Sequence, residues 1–195
     1  MQPHIHLDEG TGIRCAILPG DPARVERIAA YLDDVRDHGS HREYRSISGT
    51  WRGVPVLAMS TGMGGPSAAI AVEELRRIGV ESLIRIGSCG ALQTGIAVGD
   101  LILVQAAVRE EGTSQAYVPA AYPAVSDAAL LTVARLRGLR AMSILNTVVP
   151  WGGDTLDGIG AYSGGAEAAQ WGEAASIQTA LDACAAIERG EDWLA

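Results

Sequence analysis

Three short stretches of this chain put glycine, joined by proline, arginine or both, at the ends of apolar runs. They are Pro19-Gly20-Asp21-Pro22-Ala23-Arg24-Val25, Thr61-Gly62-Met63-Gly64-Gly65-Pro66-Ser67, and Arg85-Ile86-Gly87-Ser88-Cys89-Gly90. Glycine at a strand end lets backbone N–H groups come close to an anion, and a helix starting beside it adds partial positive charge. Pro22 and Pro66 stand where such helices would begin, since proline costs nothing at the first helical position. Arg24 follows the first turn, and Arg85 lies inside an otherwise apolar run. A charge in that setting is costly unless paired. Arg85 therefore reads either as one half of a buried salt bridge or as the ligand of an oxyanion. No GxxxxGK[ST] loop occurs, and "GMGGPS" lacks the GxGxxG spacing of a dinucleotide fingerprint. Spacing alone thus points to a small oxyanion and goes no further.

Other chemistries find less support. All four histidines, His4, His6, His38 and His41, fall in the first 41 residues, and no Ser-His-Asp set presents itself, so no catalytic residue is assigned. The three cysteines, Cys15, Cys89 and Cys184, are far apart with no CxxC or CxxxH spacing. They read as reduced, buried thiols in a cytoplasmic protein, and no metal site is expected.

The elements needed to position the turns are legible. Arg14–Leu18 reads as a buried strand, followed by a helix from Pro22 with Val25, Ile28, Ala29 and Leu32 at helical spacing. Residues 37–53 are polar and contain one exposed strand around Tyr44, Ser46 and Ser48. Val54–Ser60 is a second apolar strand, and a helix runs from Pro66 to Arg77 and ends at Gly79. Further strands are predicted at 82–86, 100–105 and 140–149, and a helix at 126–137. Residues 151–165 read as a glycine-rich loop, and 166–189 as a last helix weakened near Gly172. This alternation predicts an α/β fold, with a central mostly parallel or mixed sheet flanked by helices.

The chain has 195 residues, 48% of them hydrophobic, which suits a single domain over 1–195. Its net charge of −8 argues against general affinity for nucleic acid or an anionic membrane. The basic residues are all arginine, the side chain that makes bidentate bonds to phosphate. No signal peptide is expected, and no apolar run is long enough to span a membrane.

"LPGDPARVERIA", "SHREY", "MSTGMGGPSAAIAVEELRRIGV", "LIRIGSCGAL" and "GDLILVQAAVREEGTSQAYVP" occur in order between His6 and about Ser126. Together they resemble the bacterial nucleoside phosphorylases, most closely the uridine phosphorylase branch. The resemblance implies a nucleoside phosphorylase-like fold and a pentosyltransferase, a glycosyltransferase that cleaves a (pyrimidine) nucleoside with inorganic phosphate to free base and pentose 1-phosphate. Phosphate would be a co-substrate, with no other cofactor, and the protein a cytoplasmic homodimer or homohexamer. It implies phosphate binding by Gly20, Arg24, Arg85 and Ser88, with Arg42 lent by a neighbouring subunit. It implies substrate binding by Met63 and by a neighbour's His6, although for His6 an ordinary polar terminus is an equal reading.

The resemblance breaks within or just before Ser126–Ala129. Several dozen residues of the family pattern have no counterpart, including the loop that reads the base and the Glu-Met-Glu segment that grips the ribose. Pro150-Trp151 stands where pyrimidine enzymes carry asparagine-arginine. Asp154 and Asp157 either replace the lost groups or lie in a solvated loop. Trp151 and Tyr162 could line a rebuilt pocket. Two alternatives to phosphorolysis therefore stay open. One is a repurposed enzyme of the same fold, hydrolytic or biosynthetic. The other is a non-catalytic phosphate- or nucleotide-binding relative.

Overall fold

Runs rich in isoleucine, leucine, valine and alanine build the centre of the sheet, where both faces are covered. The computed structural model describes residues 1–119 and 128–191. Its strands are β1 (Cys15–Pro19), β2 (Asp33–His41), β3 (Tyr44–Trp51), β4 (Val54–Met59), β5 (Ser82–Gly90), β6 (Leu101–Leu103) and β7 (Arg140–Val149). They form one seven-stranded sheet in the order β2-β3-β4-β1-β5-β7-β6. The inner strands β4, β1, β5 and β7 are parallel, with Ile17 level with Ala58 on one side and Ile84 on the other. β2, β3 and β6 join antiparallel, so the sheet is mixed.

The helices are α1 (Pro22–Ala29), α2 (Gly65–Arg77), α3 (Gly112–Tyr117), α4 (Ala128–Leu136), α5 (Thr155–Ser163) and α6 (Glu167–Arg189). The period-two alternation of strand side chains divides the core between two layers. Ala16, Leu18, Leu57, Met59 and Leu83 pack against α2 and α4. Cys15, Ile17, Ala58, Ile84 and Ile86 face the other way, against Val25 and Ile28 of α1 and Ile177 and Leu181 of α6. Among the described residues, no helix is long and apolar enough to cross a membrane.

Several elements differ from expectation. Residues 33–51 form a two-stranded hairpin, and β3 is largely buried, because α1 packs over it. α5 lies inside the stretch expected to be a loop. Its glycines hide the signal, but Asp154 caps it by accepting from Leu156 N–H at 2.8 Å and Asp157 N–H at 3.0 Å. α3 was also unforeseen, and Glu111 caps it through Ser114 N–H. α6 runs unbroken through Gly172, which is buried against Asn146 and Gly99. The expectation of three reduced thiols is overturned for two of them. Cys15 on β1 and Cys184 on α6 form a disulfide with Cα atoms 5.8 Å apart, brought together by the packing of α6 across the sheet. Of the junction Ser126–Ala129, residues 126 and 127 lie outside the described residues.

Candidate functional site

Parallel strands leave their carboxyl ends on one edge of the sheet, and loops there converge. The loops after β1, β4 and β5 enclose a cleft of about 750 Å³. Two of its turns touch. A Cβ on Gly20 would lie 3.3 Å from the Gly62 carbonyl oxygen, and Gly62, at φ +67°, would set one 2.8 Å from the Glu43 side chain. Thr61 N–H donates to the Pro19 carbonyl at 2.9 Å, stitching the same crossing. Only glycine lets the two loops meet this closely.

The two helix starts at the cleft are not equivalent. Asp21 caps α1 by accepting from Ala23 N–H at 2.9 Å, so a carboxylate already serves that terminus. α2 begins after Gly64 with no side-chain cap, and Gly64 and Gly65 line the cleft. The N-terminus of α2 thus borders the cavity, with the Glu111 carboxylate beside it, 3.0 Å from where a Cβ on Gly65 would stand.

Gly20, Arg24, Arg85, Ser88 and Met63 all line this one cleft. Arg85 rises from β5, and its guanidinium lies 3.5 Å from where a Cβ on Gly87 would stand. Ser88 is exposed three residues further on, and Met63 stands at the rim, 98% exposed. Arg24 is buried. Its Nε and Nη2 donate to the Tyr162 hydroxyl at 3.1 and 2.7 Å. Tyr162 in turn donates to Glu173 of α6. Glu173 Oε1 is 3.7 Å from Arg24 Nε and 2.5 Å from Arg27 Nη1. Burial, and then the bond to Glu173, push the Tyr162 hydroxyl above its ordinary pKa, so it stays protonated and able to donate.

Arg42 and His6 are not among the residues that line their own chain's cleft, although Glu43, next to Arg42, is. Arg42 sits in the β2–β3 turn with φ +55° and is exposed. The His6 ring stacks on His41 beside that turn, with centroids 3.7 Å apart. Glu74 of α2 anchors the segment carrying His6, accepting from the N–H groups of His4 at 3.0 Å and Ile5 at 2.9 Å. Burial raises the Glu74 pKa, but these bonds and the His4 ring outweigh it and hold the carboxyl below the usual range. The result is one exposed patch that presents Arg42 and His6 together.

Two residues missed in the sequence also line the cleft, the carboxylates Glu43 and Glu111. Burial pushes Glu111 upward, but bonds from Ser114 and Thr113 hold it below the ordinary carboxylate range, so it is ionised at neutral pH. The capping pattern of Glu111 three residues before Ser114 was the signal available for it. Trp151 is exposed and does not line the cleft, while Tyr162 turns inward to Arg24. Asp154 is used as a helix cap. Among the described residues, no group of three histidine, cysteine, aspartate or glutamate side chains could hold a metal ion.

Residues 14–155 match the model of a family described as the phosphorylase superfamily. The chain is 51% identical over 144 residues to uridine phosphorylase of Thermococcus kodakarensis, a match covering 72% of this chain and 52% of the relative. It is 49% identical over 131 residues to guanosine phosphorylase of Halorubrum lacusprofundi, covering 67% of this chain and 54% of the relative. The matches span only about half the length of these curated relatives. The crystal structure of uridine phosphorylase from Vibrio fischeri superposes with a TM-score of 0.83 at 34% identity, covering 94% of this chain and 97% of that one.

Proposed function

The chain belongs to the phosphorylase superfamily, and we propose that its cleft binds inorganic phosphate and uses it to cleave the N-glycosidic bond of a nucleoside. The observation that carries this reading is convergence: Gly20, Arg24, Arg85 and Ser88, from two different strand ends, line one cavity. Phosphate carries about two negative charges near neutral pH, and arginine forks with backbone and hydroxyl donors suit it.

In this reading phosphate lies beneath the anomeric carbon of the sugar. The C1′–N bond lengthens first, its electron pair moves to the base, and positive charge spreads over C1′ and the ring oxygen. The phosphate stabilises that cation and then bonds to C1′ through an oxygen, giving pentose 1-phosphate. The base leaves with the electron pair and takes up a proton to become the free base. Positioning and electrostatics supply the rate, without a protein nucleophile. The α2 terminus and the two arginines hold the anion. Glu43 and Glu111, which line the cleft together with the helix-capping Asp21, would accept hydrogen bonds from sugar hydroxyls, the task left by the missing Glu-Met-Glu segment. Met63 at the rim would contact the substrate.

Arg42 and His6 enter this scheme from a neighbouring copy. Their exposure near one another, Arg42 on the β2–β3 turn and His6 stacked on the adjoining His41, supports delivery to a partner's phosphate and ribose in a homodimer or a ring of dimers. The named relatives include a uridine and a guanosine enzyme, so both base classes belong in the substrate screen.

The test is to incubate the protein with uridine, thymidine, guanosine, inosine or adenosine, with and without phosphate, and to measure free base and pentose 1-phosphate. Release that requires phosphate is expected. If the protein binds phosphate and every nucleoside stays intact, phosphorolysis is refuted and the binding-protein alternative takes its place. Mixing inactive R42A chains with inactive R85A chains should restore activity that neither shows alone, if sites are shared between subunits.

A further inference from the structure

We infer that Tyr162 is a positioning residue for the anion site, keeping Arg24 from closing into a direct hydrogen-bonded pair with Glu173. The inference rests on the phosphate-binding reading above and deepens it.

The argument starts from charge. Arg24 and Glu173 are both about 8% exposed in their side chains, and their nearest atoms are 3.7 Å apart. Left to themselves, a buried guanidinium and carboxylate at that range would close into a direct pair, because each loses its hydration. The Tyr162 hydroxyl occupies the interval. It accepts from Arg24 through Nε and Nη2 and donates to Glu173 Oε2. A neutral oxygen thus serves the donors of Arg24 that would otherwise reach the carboxylate. Glu173 is satisfied from elsewhere, by Tyr162 and by Arg27 at 2.5 Å. Two arginines around one carboxylate leave the group net positive, and Arg24 is the member that lines the cleft beside Gly20. An entering oxyanion meets a net positive cluster whose cleft-lining arginine is held short of a direct hydrogen bond to the carboxylate.

Tyr162 lies on α5, outside the residues that match the family. α5 buries none of its residues fully. It rests on β7 through the Tyr162 ring, half-buried beside Val148 and Val149, and through Gly158, where a Cβ would lie 2.7 Å from the Val149 side chain. Its contact with Arg24 is its clearest link to the site.

The probe is inorganic phosphate, with its dissociation constant measured by titration calorimetry on wild type, Y162F, E173Q and the double variant. Y162F keeps the ring and removes only the hydroxyl. Arg24 should then pair with Glu173, and phosphate affinity should fall by roughly 10- to 100-fold, as for a lost charge-assisted hydrogen bond. In Y162F/E173Q the competing charge is gone, and affinity should recover most of that loss. A purely structural role for Tyr162 predicts the reverse, since a second change at a buried group would weaken binding further. Wild-type affinity in Y162F, or no recovery in the double variant, overturns the inference while leaving the phosphate site intact. Failure of the wild type to bind phosphate overturns the site itself and the inference with it.

Discussion

Replacing Gly172 with alanine sets two simple rules against each other. Gly172 is in the middle of α6, and on helix propensity alone G172A should stabilise the protein by about 1 kcal/mol. The structure predicts the opposite sign. A Cβ at Gly172 would lie 2.1 Å from Asn146 Oδ1, 2.6 Å from the Gly99 carbonyl oxygen and 2.7 Å from Gly99 Cα. The first distance falls short of ordinary van der Waals contact by more than ~1 Å. Asn146 cannot swing away cheaply, because its Nδ2 donates to the Ala169 carbonyl at 2.8 Å in a fully buried setting. Gly99 is backbone in a tight turn, with a Cβ of its own excluded by the Ala168 carbonyl at 2.6 Å. So α6 itself must shift off β7. Overpacking of this kind costs about 1–3 kcal/mol, and here it also opens the Asn146 bond, worth about 1 kcal/mol. After the propensity gain is subtracted, the net loss is about 1–3 kcal/mol. Urea unfolding should show a lower midpoint with an unchanged slope, and the melting temperature should fall by roughly 2–10 °C for a chain of this size. A variant as stable as wild type, or more stable, would refute the close approach of α6 and β7.

Three further outcomes follow from single groups. R85A should weaken inorganic phosphate binding by roughly 10- to 100-fold with little loss of fold, read by calorimetry beside thermal unfolding. Glu74 is held below the ordinary carboxylate range, so its contribution is full above the unfolded pKa of about 4.3 and is lost as pH falls through the lower folded value. E74Q should therefore flatten the acid limb of stability against pH and cost about 1–3 kcal/mol at neutral pH, since two N–H groups lose a carboxylate acceptor. The Cys15–Cys184 disulfide closes a separation of 169 residues. C184S should lower stability by about 2–5 kcal/mol, and reductant should lower wild type towards the variant while leaving C184S unmoved.

The convergence of Gly20, Arg24, Arg85 and Ser88 on one cleft was legible because its determinants are local. A turn such as Pro19–Val25 writes its glycine, its proline and its arginine within seven residues, and strand ends in a parallel sheet converge as a matter of geometry. The unforeseen parts depend on distant partners. Gly172 reads as a weak point in a helix until the close packing of Asn146 and Gly99 supplies its reason. Cys15 and Cys184 read as isolated thiols until α6 lies across β1. The glycines of α5 mask a helix that its Asp154 cap alone announces, and β3 is polar by sequence yet buried once α1 covers it. Glu43 and Glu111 enter the cleft from loops whose directions the sequence does not state.

The part of the chain that matches the family and the part that does not are coupled at one point. The match, over residues 14–155, supplies Gly20, Arg24, Arg85 and Ser88. Glu173 and Tyr162, which set the charge around Arg24, come after it. α6 holds Glu173 between two fixed contacts: Gly172 pressed on Asn146 of β7, and Cys184 joined to Cys15 of β1. β1 is also the strand that leads directly into Gly20 and α1. The Gly20–Arg24 loop and the Glu173 carboxylate are thereby mounted on the same pair of packed elements, and they keep their spacing when the two move together as one body. A shift of α6 against the sheet is the motion that would change it. For that reason G172A and C184S, neither of which touches the cleft, should both weaken phosphate binding, whereas a stability loss of equal size placed away from α6, the sheet and the Arg42–His6 patch should not.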